Sequence, residues 1–158
     1  MRILFATNLT EPADVTRSVE RFARGLDAEL FVLHVISPAP TAAMTSIDPM
    51  TGLSGFAPYT LYDPQLEADM EEAEENAFKT FLLERFSMPV HAGLRKGDPA
   101  DAILDDAEDR DVDLVMLAKR RHGRLETLLV GSTVRDVLKR AVRPTLVLPV
   151  PSEEEDGS

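Results

Sequence analysis

The residues best suited to chemistry lie between 119 and 143: a basic island, Lys119-Arg-Arg-His-Gly-Arg124, and then Leu128-Leu-Val-Gly131-Ser132-Thr133. This stretch holds eight of the seventeen Lys and Arg residues but only two acids, Glu126 and Asp136. The rest of the chain has nine bases against twenty-six acids. A Gly-Ser-Thr turn that opens a helix exposes backbone N–H groups where the helix dipole favours negative charge. The chemistry this pattern fits is capture of a phosphate-like anion. Two plainer explanations stand beside it. A helix capped by Ser132 after a tight turn accounts for Gly131-Ser132 without a ligand. An exposed loop that complements the acidic body accounts for Lys119–Arg124.

Other reactive residues are sparse. His34, His91 and His122 share no metal-ligand spacing. His34, inside an apolar strand, reads as a packed histidine rather than a ligand. Asp105-Asp106 and Glu108-Asp109 read as solvated acids on a helix, not as an acid/base pair. Ser132 has no general base nearby in sequence. The expectation is a protein that is not an enzyme.

The elements that must position the basic island follow from hydrophobic spacing. Ile3-Leu-Phe-Ala6 and Leu30–Ile36 are near-continuous apolar runs of the kind found in buried parallel strands. Between them Val15, Val19, Phe22, Ala23 and Leu26 recur at helical spacing, which predicts a helix over 12–26. Residues 37–63 contain four prolines and no clear period, and read as a long loop packed over its own domain. A helix is expected over 65–86, its early acids suiting the helix dipole and forming a solvated face. Strands are expected at 88–94, 112–118 and 145–150, and helices from Asp98-Pro99 and over Ser132–Arg140. The tail 151–158 is polar, acidic and expected to be disordered.

That order predicts an α/β doubly wound parallel sheet within one domain, residues 1–150, with helices on both faces. Ligands of such sheets bind beyond the carboxyl ends of the strands, where the winding direction switches. If strand one is central, the turns Thr7–Glu11 and Ala118–Gly131 flank that crevice.

Composition narrows the function. A 158-residue chain with 44% hydrophobic residues is long and apolar enough for a proper core. A net charge of -11 argues against nucleic acid and anionic membrane surfaces as partners. No cysteine is present, so disulfides and thiolate chemistry are excluded. No long apolar run or signal-like start appears, and a cytoplasmic location without membrane insertion is expected. The excess of arginine over lysine and of acid over base fits a salt-adapted source as well as an ordinary acidic protein.

Five segments, in order, resemble the universal stress protein family: Ile3-Leu-Phe-Ala-Thr-Asn8, Leu33-His-Val35, Gly97-Asp-Pro-Ala-Asp-Ala-Ile103, Asp113-Leu-Val-Met116, and Leu128–Val134 through Arg143-Pro-Thr-Leu-Val147. The resemblance spans about residues 2 to 150 and implies a five-stranded, Rossmann-like, three-layer sandwich of strand order 3-2-1-4-5. It also implies a homodimer paired through the strand at 144–150, with protein partners. One branch of the family binds ATP through a loop of form G-x2-G-x9-G-[S/T] and an aspartate after strand one. Here the two earlier glycines fall on Ala118 and Arg121, and the aspartate falls on Asn8.

Glycine in a phosphate loop lets the backbone approach the anion. Arg121 replaces that close approach with a large side chain, which either blocks the phosphates or pairs with one of them. Gly123 supplies the turn only if the loop is rearranged. Asn8 keeps hydrogen-bonding capacity but loses the charge. The resemblance carries the nucleotide site onto Thr7, Asn8, Val35, Ala118, Arg121, Gly123, Gly131, Ser132 and Thr133, with ATP or AMP as the implied ligand.

The first functional reading is a non-enzymatic, dimeric stress-response domain with a degenerate nucleotide site. The second is an ATP/AMP-binding switch that holds phosphates with Arg121, Arg124 and Gly131-Ser132. A slow ATPase or nucleotidyl-transfer enzyme ranks last.

Overall fold

A computed structural model of the chain describes residues 1–38, 64–120 and 131–150. The expectations for loop residues 39–63 and for the tail 151–158 lie outside the described residues. The elements run β1 (Arg2–Thr7), α1 (Ala13–Gly25), β2 (Glu29–Ile36), α2 (Pro64–Arg85), β3 (His91–Lys96), α3 (Pro99–Asp109), β4 (Leu114–Arg120), α4 (Ser132–Arg140) and β5 (Thr145–Val150). The five strands form one parallel sheet of order β3-β2-β1-β4-β5, as expected.

Period-two alternation along the strands divides the core between two faces. Ile3 and Phe5 of β1 pack with Val15, Val19 and Ala23 of α1 and with Phe78 of α2. Leu4 of the same strand packs with Ala100, Ile103 and Ala107 of α3 and with Val134 and Val137 of α4. The helices therefore lie in pairs, α1 and α2 on one face and α3 and α4 on the other. Ile3, Leu4 and Phe5 are fully buried, and each contributes on the order of 2 kcal/mol from burial. Central β1 is thus fixed between β2 and β4, with Ala6 level with Leu33 on one side and Leu117 on the other.

Two expected strands shift toward their carboxyl ends. The strand expected at 88–94 begins only at His91, which pairs with Phe31, and it runs on to Lys96. Met88 and Val90 are apolar because they pack against the core from the connection before the strand. The backbone N–H groups of Ser87 and Met88 are held there by the Glu20 carboxylate, at 2.5 and 3.0 Å. The strand expected at 112–118 likewise starts at Leu114. Val112 is buried, but its N–H still bonds back to the Ala107 carbonyl at the end of α3.

The acidic helix α2 is not only a solvated face, because Glu71 pairs with Lys96 at 2.5 Å and Glu74 meets His34 at 2.9 Å. Asp106, expected to be solvated, is 1% exposed. Its two oxygens accept from Arg95 Nε at 2.8 Å and Arg110 Nε at 2.7 Å, which compensates its burial.

Candidate functional site

A cleft of about 360 Å³ opens across the carboxyl ends of β1 and β4. Its position follows from topology. The chain winds from β1 outward to β3, returns under the sheet through α3, and then winds the other way through β4 and β5. The turns after β1 and β4 diverge to opposite faces and leave a gap between them.

One wall is the turn from β1 into α1, and it is internally bonded. The Thr7 hydroxyl donates to Glu11 Oε2 at 2.5 Å and accepts from the Leu9 N–H at 2.9 Å. The Asn8 N–H donates to Glu11 Oε1 at 3.1 Å. Asn8 Oδ1 accepts both the N–H and the hydroxyl of Thr10, at 3.0 and 2.6 Å. These bonds hold Leu9 at a φ of 69°, a left-handed conformation that costs a non-glycine residue about 1–2 kcal/mol. Glu11 is only 5% exposed, a buried carboxylate satisfied within its own turn.

His34 ties this wall to the neighbouring elements. It is 7% exposed, and its Nδ1 donates to the Thr7 carbonyl at 3.0 Å. Its Nε2 lies 2.9 Å from Glu74 Oε2 on α2. The expectation of a packed histidine is met, yet the same ring also borders the cleft.

The opposite wall is differently built. Gly131 is the N-cap of α4, at φ -50° and ψ 149°, and no side chain among the described residues caps the helix. Ser132 is the first helical residue, so the expected serine cap is corrected. A capping side chain must belong to the extended residue before the helix, and that residue is a glycine. The first intrahelical bond runs from the Arg135 N–H to the Gly131 carbonyl at 3.0 Å. The N–H groups of Ser132, Thr133 and Val134 therefore have no partner inside the helix. Lys119, at the end of β4, lines the same cleft and makes no ion pair among the described residues. Pro99, Ile103 and Val134 add apolar surface.

Seven residues expected at the site, Thr7, Asn8, Val35, Ala118, Gly131, Ser132 and Thr133, all line this one cleft. Arg121 and Gly123 lie outside the described residues. Lys119, the first residue of the basic island, also lines the cleft, whereas Glu11 and His34 were not among the expected site residues. A signal existed for both. His34 is a polar residue in an otherwise apolar strand and must find buried partners. Glu11 follows a strand-end threonine by one helical turn.

The displaced ionisations lie away from the cleft. Arg95 is held above its ordinary value by hydrogen bonds to Asp109 and then Asp106. Arg140 is raised by its hydrogen bond to Asp101, which ties α4 to α3. Among the described residues no three acidic or histidine side chains gather as a metal site. Nor is any described helix long and apolar enough to cross a membrane.

Comparison with known proteins agrees with this geometry. Residues 1–149 match the family model described as "Universal stress protein family". Universal stress protein MJ0531 of Methanocaldococcus jannaschii is 26% identical over 149 residues, covering 92% of this chain and 81% of that protein. The solved structure of hypothetical protein MJ0577 superposes with a TM-score of 0.66 at 22% identity and covers 96% of each chain. A universal stress protein solved in complex with cAMP superposes with a TM-score of 0.55 at 15% identity, covering 96% of this chain and 98% of that one.

Proposed function

The chain belongs to the universal stress protein family, and on that premise we propose that it works as a nucleotide-binding stress-response domain that acts by binding rather than by turnover. The observation that carries this reading is the open start of α4. Three backbone donors and Lys119 border a cleft in a protein whose net charge is -11. A ligand that enters against that overall charge needs a local reason to do so, and a phosphate group has one here.

The proposed contacts are Thr7, Asn8 and Val35 on the β1–β2 side. Ala118, Lys119, Gly131, Ser132 and Thr133 serve the phosphate side. The complex of another family member with cAMP supports the class of ligand, since that protein holds a nucleotide. Binding without turnover is supported by the surroundings of Ser132, whose hydroxyl has no basic partner among the described residues.

The test is direct. Purified protein is denatured and the supernatant chromatographed for nucleotide, and the ligand-free protein is then titrated calorimetrically with ATP, ADP and AMP. We expect released nucleotide or micromolar-range binding that weakens with salt. Absence of released nucleotide, together with no heat up to millimolar concentration, removes the reading.

The same proposal includes a homodimer paired through β5. This strand ends the sheet and pairs only with β4 among the described residues, so its outer edge can accept a second copy. Sedimentation is expected to give twice the chain mass, and a monomer at micromolar concentration overturns this part.

A further inference from the structure

The polar groups around the cleft are not balanced between donors and acceptors. At the β1–α1 turn each side-chain acceptor that borders it already takes a hydrogen bond from within the turn. The Thr7 carbonyl accepts from His34. The Thr7 hydroxyl oxygen accepts from Leu9, and the two Glu11 oxygens accept from Thr7 and Asn8. Asn8 is the decisive case. An amide oxygen has two lone pairs, and Asn8 Oδ1 fills both with the N–H and hydroxyl of Thr10. Because Thr10 N–H can only donate, the side-chain atom facing it must be the oxygen. What Asn8 retains for a ligand is its Nδ2 amide, a pure donor. Across the cleft stand Lys119 and the open N–H groups of α4, which are donors as well.

A hard divalent cation takes oxygen ligands, and magnesium in particular reaches phosphate sites through one or two carboxylates. This cleft presents donors that compete with such a cation for the phosphate oxygens. We propose that Asn8 makes the cleft select the metal-free form of its nucleotide over the magnesium chelate. This inference rests on the nucleotide reading above and names the ionic form of the ligand. A free polyphosphate meets complementary donors at both walls. The chelate brings a cation to a corner where Asn8 offers an amide donor in place of a carboxylate and the Glu11 carboxylate is tied into its own turn, and it also neutralises the charge that Lys119 and α4 would attract.

The position is set by one atom. Aspartate at residue 8 keeps an oxygen for Thr10, so the turn survives, while its second oxygen replaces the amide donor with a charged acceptor. Serine keeps a short acceptor for the Thr10 N–H and supplies neither amide nor carboxylate.

Full-length protein, stripped of nucleotide, is titrated with ATP in excess EDTA and in saturating magnesium chloride. AMP, a weak chelator, is titrated under both conditions as the control. For the unmodified chain we expect ATP to bind about tenfold more tightly in EDTA, with AMP unchanged. Asn8→Asp should lose about tenfold in EDTA and recover in magnesium, since a like charge now faces the phosphates. Asn8→Ser should weaken ATP binding without magnesium rescue. Tighter ATP binding in magnesium by the unmodified chain overturns the inference and leaves the nucleotide reading standing. An Asn8→Asp variant with the unmodified preference also overturns it. No binding of ATP or AMP in either buffer overturns both.

Discussion

The starts of α3 and α4 lie side by side on one face of the sheet and both border the cleft, yet they are finished in opposite ways. The helix α3 begins with Asp98, whose carboxylate accepts the Asp101 N–H at 3.0 Å, and Pro99 follows as its first residue. Gly97 before it adopts a φ of 124°, a conformation that favours glycine. The Asp101 donor is filled by the cap, and Pro99 has no N–H to offer. The helix α4 begins with Gly131, which has no side chain to offer. Gly131 is not needed for backbone freedom, since its φ is -50° and an added Cβ would meet nothing within 4 Å. The difference teaches that a helix end can be closed for stability or left open for an anion, and that one residue decides which.

The sharpest way to break this contrast is to close α4 as α3 is closed. Gly131→Asp places a carboxylate at the N-cap in a compatible extended conformation. It should lower nucleotide affinity by roughly a hundredfold, because the donors are filled and a like charge is added. The same change should raise stability by a few tenths to about 1 kcal/mol. Calorimetry and thermal melting on one sample read both effects, and binding that persists would show that α4 is not used.

A smaller loss is expected from Lys119→Ala. Removing one charge-assisted contact should weaken nucleotide binding about tenfold and flatten its salt dependence. Titrations at two ionic strengths measure both, and an unchanged salt slope would place the phosphate elsewhere.

Opening α3 in turn should affect stability alone. Asp98→Ala should destabilise by about 1 kcal/mol, a fall in Tm of about 2–4 °C, with nucleotide affinity unchanged. A parallel loss of affinity would mean that the two helix starts are coupled. Gly131→Ala carries the smallest expectation. Stability should shift by less than about 0.5 kcal/mol and binding should be retained, because the site needs an uncapped helix and not a glycine.

How far these features could be read beforehand depends on how local they are. Asp98-Pro99 was legible because a cap acts within one helical turn. The helix at Ser132–Arg140 was legible too, with its apolar positions Val134 and Val137 buried as expected. Its cap was assigned one residue late, since serine is a favoured capping residue and only backbone dihedrals reveal which residue is still extended. The β3 boundary failed for a different reason. Met88 and Val90 are apolar through packing beside the strand, and composition alone does not separate that from pairing within it. Asp106 and Glu74 read as solvated acids because their partners, Arg95 and His34, come from other elements.

The sequence by itself determined the alternation of strands and helices, the family, and seven of the residues that border the cleft. These are consequences of hydrophobic period, capping chemistry and short motifs, all of which act between near neighbours along the chain. The tertiary structure decided the character of the cleft. Only the order β3-β2-β1-β4-β5 brings the turn after β1 opposite the start of α4. Only there does it become apparent that one wall has engaged its acceptors internally while the other leaves its donors open. Hydrogen-bond saturation is a property of atoms that meet in space, and residues 7, 34 and 74 meet only when the sheet is assembled.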